Sequence, residues 1–168
     1  VSVLRSLWAA AKFPFRRPPD IVHVHSSHQF SFYRASFYVL FAAHVWDRPV
    51  LLHIHGSSFD DFLETDDIGV RWLQSIVFAA ADRIVVLSDY WHEVLSTRVS
   101  DGKIQVLPNA VDPEEYDPGF EDDPPHVVFV SNLIDRKGVR ELVEALDELT
   151  TEGLEFRATI AGKGPLSD

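Results

Sequence analysis

The chain alternates between short apolar runs and longer stretches in which apolar residues recur every three or four positions. Ile21–His25, Val50–Ile54, Arg83–Leu87 and Lys103–Leu107 are short and rich in Val, Ile and Leu, which predicts buried strands. Between them, Phe30–Val45, Ile68–Ala81 and Asp89–Arg98 read as helices. Pro18-Pro19 and Asp20 lead into the first strand, Pro49 leads into the second, and Gly56-Ser57-Ser58 leaves it, so the turn residues agree with the periodicity. Continuous apolar strands alternating with helices predict an α/β fold: a doubly wound parallel sheet with helices on both faces.

The character changes from Pro108 to Pro125, where prolines and a run of acids from Asp112 to Asp123 predict a linker. The alternation then restarts, with Val127–Val130 as strand, Gly138–Leu149 as helix and Phe156–Ile160 as strand. The expected organisation is therefore a first Rossmann-like domain over residues 1–107, a linker over 108–125, and the beginning of a second such domain over 126–168. Three elements cannot cover both faces of a sheet, which predicts further chain after Asp168.

Composition narrows the partners. The chain is 46% hydrophobic and 12% aromatic, enough for a packed core. It has no cysteine, which excludes disulfides, thiolate metal sites and a cysteine nucleophile. A net charge of -11, with only four lysines, argues against a nucleic-acid partner and gives the acidic, lysine-poor surface of proteins that work in high salt. No run approaches the ~20 apolar residues of a spanning helix, and Val1–Ala11 is broken by Arg5 and followed by Lys12, Arg16 and Arg17. No signal-peptide cleavage site follows it. A cytoplasmic location is expected, with peripheral contact at the inner face of the membrane as an addition. The aromatic helix with Phe30, Phe32, Tyr33, Phe37, Tyr38 and Phe41 is read as core, with contact to a membrane carrying a lipid acceptor as the alternative.

Histidines carry the candidate chemistry. His23, His25 and His28 form H-x-H-x-x-H, and His53 and His55 form a second H-x-H, both at the ends of predicted strands. Residues two apart on a strand share a face, so each pair shows both imidazoles to one side, at the edge where open α/β sheets bind ligands. Three readings stand side by side. The first is a metal site: H-x-H-x-x-H resembles the first metal motif of the metallo-β-lactamase superfamily, with Ser27 where that family has aspartate. The second is hydrogen bonding to sugar or phosphate by neutral imidazoles, preferred for His25 and His55. The third is packed histidines at strand ends with their hydrogen bonds satisfied, preferred for His23 and His53.

Two further segments matter. Gly56 after His55 lets backbone approach a ligand closely. In Val130–Gly138, Arg136 and Lys137 stand at a helix start, where cations oppose the helix dipole; charge alone reads them equally as the holders of an anion and as a solvated surface pair. Gly162-Lys163-Gly164-Pro165 reads as a turn.

Taken in order, these pieces resemble glycosyltransferase family 4, the large retaining group of the GT-B fold. Asp20–His25 is similar to its D-hydrophobic-x-H-x-H strand, and Leu52–Gly56 to its T-x-H-G strand, with His53 for Thr. Ala81–Ser88 resembles the strand ending in Ser, and Ile104–Asp112 the V-x-P-N-G-V-D crossover, with Ala110 for Gly. Phe129–Gly138 resembles F-V-G-R-L-x-x-x-K-G, and Gly162–Pro165 resembles G-x-G-P.

The resemblance implies two Rossmann-like domains of the GT-B type, the N-terminal one nearly complete and the C-terminal one truncated. It implies transfer of a sugar from a nucleotide-sugar donor, with retention, to a sugar, polysaccharide or lipid-linked acceptor. Lys137 would bind the donor diphosphate; the family's Arg falls on Asn132, and Arg136 is placed to compensate. His55 would face the transferred sugar as the catalytic candidate, Gly56 would give it room, and His25 and His28 would lie on the acceptor side. No metal and no cofactor is expected. The family's Gly-rich loop should precede Val1 and its paired glutamates follow Asp168, so the 168 residues alone are expected not to turn over. The alternatives are a GT-B nucleotide-sugar epimerase, a metal-dependent hydrolase using His23, His25 and His28, and a non-catalytic binding domain.

Overall fold

The computed structural model describes residues 3–56, 58–117, 119 and 123–167. Ser57 of the turn after the second strand, and Pro118, Phe120, Glu121 and Asp122 of the predicted linker, lie outside the described residues. The chain divides into two units, Val1–Val111 and Asp112–Asp168.

The first unit holds four strands, β1 (Val22–Ser26), β2 (Val50–Ile54), β3 (Arg83–Val86) and β4 (Ile104–Val106). Its helices are α1 (Val3–Lys12), α2 (Phe30–His44), α3 (Phe59–Leu63), α4 (Ile68–Ala80) and α5 (Asp89–Ser96). All four strands pair in parallel in the order β1-β2-β3-β4. The predicted strands and helices are present with ends shifted by one or two residues; α1 and the single turn of α3 lay outside the pattern read from the sequence.

The strand order explains where the core lies. It runs one way without reversal, so right-handed crossovers place α2, α4 and α5 on the same face of the sheet. Burial agrees. Val22, Val24, Val50, Leu52, Ile54, Ile84, Val86 and Ile104 share one core with Phe32, Val39, Val77, Phe78 and Leu95 of those helices. Where the apolar strands predict helix cover on both faces, the crossover helices among the described residues lie on one face, because winding to the second face needs a reversal of strand order. The strand β1 already shows the difference, since its residues alternate buried and exposed with His23 and His25 on the exposed side. The aromatic helix α2 is core through Phe32 and Val39, while Phe30, Tyr33 and Phe37 stay exposed.

Side chains lock the crossovers. Asp67 caps α4 by accepting from the Val70 amide at 3.0 Å. At its other end, Lys103 Nζ donates to the carbonyls of Phe78, Ala79 and Ala81 at 3.2, 2.9 and 2.8 Å, satisfying groups that the end of a helix leaves open. Asp82 accepts from the Val50 amide at 2.8 Å and its own amide donates back to the Val50 carbonyl, pinning the start of β2.

The second unit holds β5 (His126–Val130), α6 (Val139–Thr151) and β6 (Arg157–Ala161), with β5 and β6 parallel. All five residues of β6 are exposed, and Leu133 and Val139 are its buried hydrophobics among the described residues. Among the described residues no helix is long and apolar enough to cross a membrane.

Candidate functional site

Parallel register places the two H-x-H motifs on one face. His25 is the partner of His53 across β1 and β2, and the His55 amide extends the ladder by donating to the Ser26 carbonyl at 2.7 Å. With side chains alternating along each strand, His23, His25, His53 and His55 all project from the face opposite the core. Their rings cluster: centroids lie 3.9 Å apart for His53 and His55, 4.3 Å for His23 and His25, and 4.9 Å for His25 with either His53 or His55.

Within this cluster His25 Nδ1 and His55 Nε2 share a hydrogen bond of 2.8 Å. The pair preferred for ligand chemistry on sequence grounds is thus in direct contact. His53 differs from the packed and satisfied histidine expected. Standing on β2 between the residues of β1 and β3, it is buried, yet neither ring nitrogen has a hydrogen-bond partner. His23 stands on the edge strand and is exposed rather than packed.

Electrostatics follows from the clustering. Burial, then the charges of His55, His25 and His23, push the His53 imidazole down to about 4. His55 is lowered by burial and then by His25, and His23 by burial and then by His25 and His55. At neutral pH these three imidazoles are neutral, each able to donate one hydrogen bond and accept one.

His25 and His28 separate. His25 lines a cavity of about 400 Å³ with His23, Arg5, Arg34 and Tyr38, beside the edge of β1. His28 turns to another cavity of about 470 Å³, lined with Ser58, Asp61, Phe62 and Thr65. The turn between them holds Gln29 at φ 50°, an uncommon backbone for a residue with a side chain. Among the described residues, the trio of histidines whose ring nitrogens all lie within 4.8 Å of one another is His23, His25 and His53. His53 therefore replaces His28 in any trio, which corrects the His23, His25 and His28 set of the hydrolase alternative. Gly56 brings the turn after β2 against the turn after β1, where a Cβ would stand 3.4 Å from Ser27 Cβ.

The second unit carries the other candidates on the loop between β5 and α6. Asn132, Arg136 and Lys137 are exposed there, the last two in a turn of 3-10 helix that ends at Gly138 with φ 74°. Arg140, which the sequence reading passed over, pairs with Asp135 at 2.8 Å. The Gly162-Lys163-Gly164 segment is more than a turn. The amides of Ser131 and Leu133 donate to the carbonyls of Ala161 and Lys163 at 3.1 and 3.0 Å. A Cβ at Gly162 or Gly164 would run into the carbonyls of Ser131 and Leu133 respectively. Glycine is needed there so that one loop can lie against the other.

Arg5 and Arg34 beside His25 were missed by sequence reasoning, and His53 was read as a packed histidine rather than as part of the site. A signal existed for His53 alone: two H-x-H motifs on consecutive parallel strands share a face whenever those strands are neighbours in even register.

Comparison with known proteins fits this arrangement. The model of Glycosyltransferase Family 4 matches residues 2–115, which hold all four clustered histidines. The chain is similar to a subunit of the human phosphatidylinositol N-acetylglucosaminyltransferase, 28% identical over 154 residues. That alignment covers 89% of this chain and 31% of the human protein, so the chain spans about a third of that relative's length.

Proposed function

The chain belongs to glycosyltransferase family 4, and from that premise we propose that it is part of an enzyme moving a sugar from a nucleotide-sugar donor to an acceptor with retention of anomeric configuration. The observation that carries this reading is the His25–His55 hydrogen bond of 2.8 Å at the C-terminal ends of two adjacent parallel strands. There two imidazoles, one of them held neutral by burial, present hydrogen-bonding groups to a polyhydroxylated ligand.

His55 is assigned to the transferred sugar and Gly56 to the space it needs. His25 is assigned to the acceptor side together with Arg34 and Tyr38 of the same cavity. His28 serves an acceptor only through the neighbouring cavity it lines. Lys137, with Asn132 and Arg136 on the same loop, is assigned to the donor diphosphate. A fixed cation and the amides of a helix start stabilise the charge that gathers on the leaving phosphate. No metal is required for that step.

The name of the human relative supports a lipid-borne acceptor. So does the surface around α1. Trp8 and Phe15 are exposed there beside Lys12, Arg16 and Arg17, and Phe30, Tyr33 and Phe37 are exposed on α2. Apolar rings with adjacent cations favour the surface of an anionic bilayer, which supports a peripheral location at the inner face of the membrane.

The test is incubation of the protein, in its full natural reading frame, with UDP-N-acetylglucosamine, UDP-glucose and GDP-mannose in turn, over vesicles containing phosphatidylinositol. A new glycosidic bond, with the donor's anomeric configuration read from proton coupling constants, supports the reading. Isomerised donor without an acceptor product would replace it with an epimerase, and hydrolysed donor alone would end it.

A further inference from the structure

The histidine cluster contains two imidazoles, those of His23 and His53, to which the proposed transfer gives no role. His23, His25 and His53 each bring a ring nitrogen within 4.8 Å of the other two. His53 is 6% exposed, and both its ring nitrogens lack a hydrogen-bond partner. Buried polar atoms in proteins are nearly always satisfied, so an orphaned buried imidazole facing two others marks a missing partner. From these residues we propose a mononuclear site for a divalent transition ion of the zinc class, coordinated by His23, His25 and His53.

The donor set selects the ion. Three imidazoles with no carboxylate suit zinc, copper, nickel or cobalt, and suit calcium or magnesium poorly. Bonds of about 2.1 Å in a tetrahedral shell put ligand nitrogens roughly 3.4 Å apart, so the rings, now up to 4.8 Å apart at those atoms, need to draw in by as much as about 1.4 Å, and His23 needs to turn out of its stack on His53. His23 and His25 are exposed on the edge strand and have room for that adjustment, while His53 is the fixed point. One strand supplies an i, i+2 pair and its neighbour supplies the register partner of His25.

The hydrogen bond between His25 and His55 completes the arrangement. With His25 Nδ1 engaged by His55 Nε2, Nε2 of His25 is the nitrogen left for the ion. Nδ1 then carries the proton and donates it to His55, the outer partner that metal-bound imidazoles use to fix their orientation. The fourth position opens to solvent beside the exposed His23 and His25. The site stands on this geometry alone and does not depend on the transferase reading.

The experiment is titration of tag-free protein, stripped with a chelator, with Co²⁺ followed by its visible d–d absorption, and with Zn²⁺ as competitor. One equivalent of Co²⁺ per chain, displaced by Zn²⁺, is expected. His23→Gln, at an exposed position that leaves the core untouched, should weaken binding at least tenfold, and His53→Asn should abolish it. His28→Gln should leave it unchanged. Absence of saturable binding would overturn the proposal. So would one-equivalent binding that survives His23→Gln, or that His28→Gln removes.

Discussion

His55 shares a hydrogen bond of 2.8 Å with His25 and lies 3.9 Å, centroid to centroid, from the His53 ring, on the sheet face away from the core, so its substitution separates chemistry from folding. His55→Asn keeps a polar side chain of smaller size in a half-buried place. It should lower kcat of the proposed transfer by roughly 10²–10³-fold, with an unchanged far-ultraviolet circular dichroism spectrum as the check on fold. The neighbouring His53 gives a pH prediction. Unfolded, its imidazole protonates near 6.5; folded, at about 4. Between those values the unfolded chain binds more protons, so stability is fully present above about pH 6.5 and is lost as pH falls toward 4. His23 and His55 are shifted in the same direction and add to the slope. Denaturant midpoints measured with a chelator present should fall by the equivalent of about 1–3 kcal/mol across that window, and His53→Asn should flatten the curve. These histidines were visible in the sequence as two motifs. Their merging into one cluster was not, because it depends on which strand lies beside which.

At the scale of elements, α4 is fastened at both ends by residues far apart in sequence. Asp67 was readable as a cap because it immediately precedes Ile68 and the periodic stretch. Lys103 was not, because the carbonyls it serves lie more than twenty residues earlier and meet it only when β4 docks beside β3. Replacing it by methionine keeps the aliphatic stem and removes the donor. Lys103→Met should cost about 1–2 kcal/mol, seen as a lower melting temperature. The loop pair of the second unit gives a matched contrast. Gly162→Ala drives a methyl group into the Ser131 carbonyl and should cost about 1–3 kcal/mol, read as faster proteolysis within residues 112–168. Gly102→Ala meets nothing within 4 Å and should be neutral. Gly162 stands in a segment that reads as a turn and Gly102 in a short turn of 3-10 helix, so the identity of the residue alone does not separate them. The approach of another backbone does. The helix α3 was illegible for a related reason, since five residues carry too little periodicity to distinguish a turn of helix from a loop.

Across the whole molecule, burial is uneven. The core gathers around β2 and β3 of the first unit, whereas β6 of the second is exposed along its length. Backbone amides of β2 and β3 should therefore exchange with solvent slowest, and those pairing β5 with β6 roughly 10²-fold faster or more. Equal protection in both sheets would refute this account of where stability resides. The α/β class, the strand and helix positions and the histidine motifs were legible because apolar periodicity and turn residues are local properties of the chain, set by the geometry of a strand or a helix alone. Helix cover on both faces was expected from that pattern, and among the described residues the crossover helices lie on one, because a local pattern carries no information about strand order. Only the tertiary structure shows an order that runs one way. That order assigns α2, α4 and α5 to one face, leaves four imidazoles together on the other, and turns His53 from the satisfied strand-end histidine expected into a buried base without a hydrogen-bond partner. The physical reason is that contacts between strands depend on register and neighbourhood, which are fixed when the whole sheet assembles.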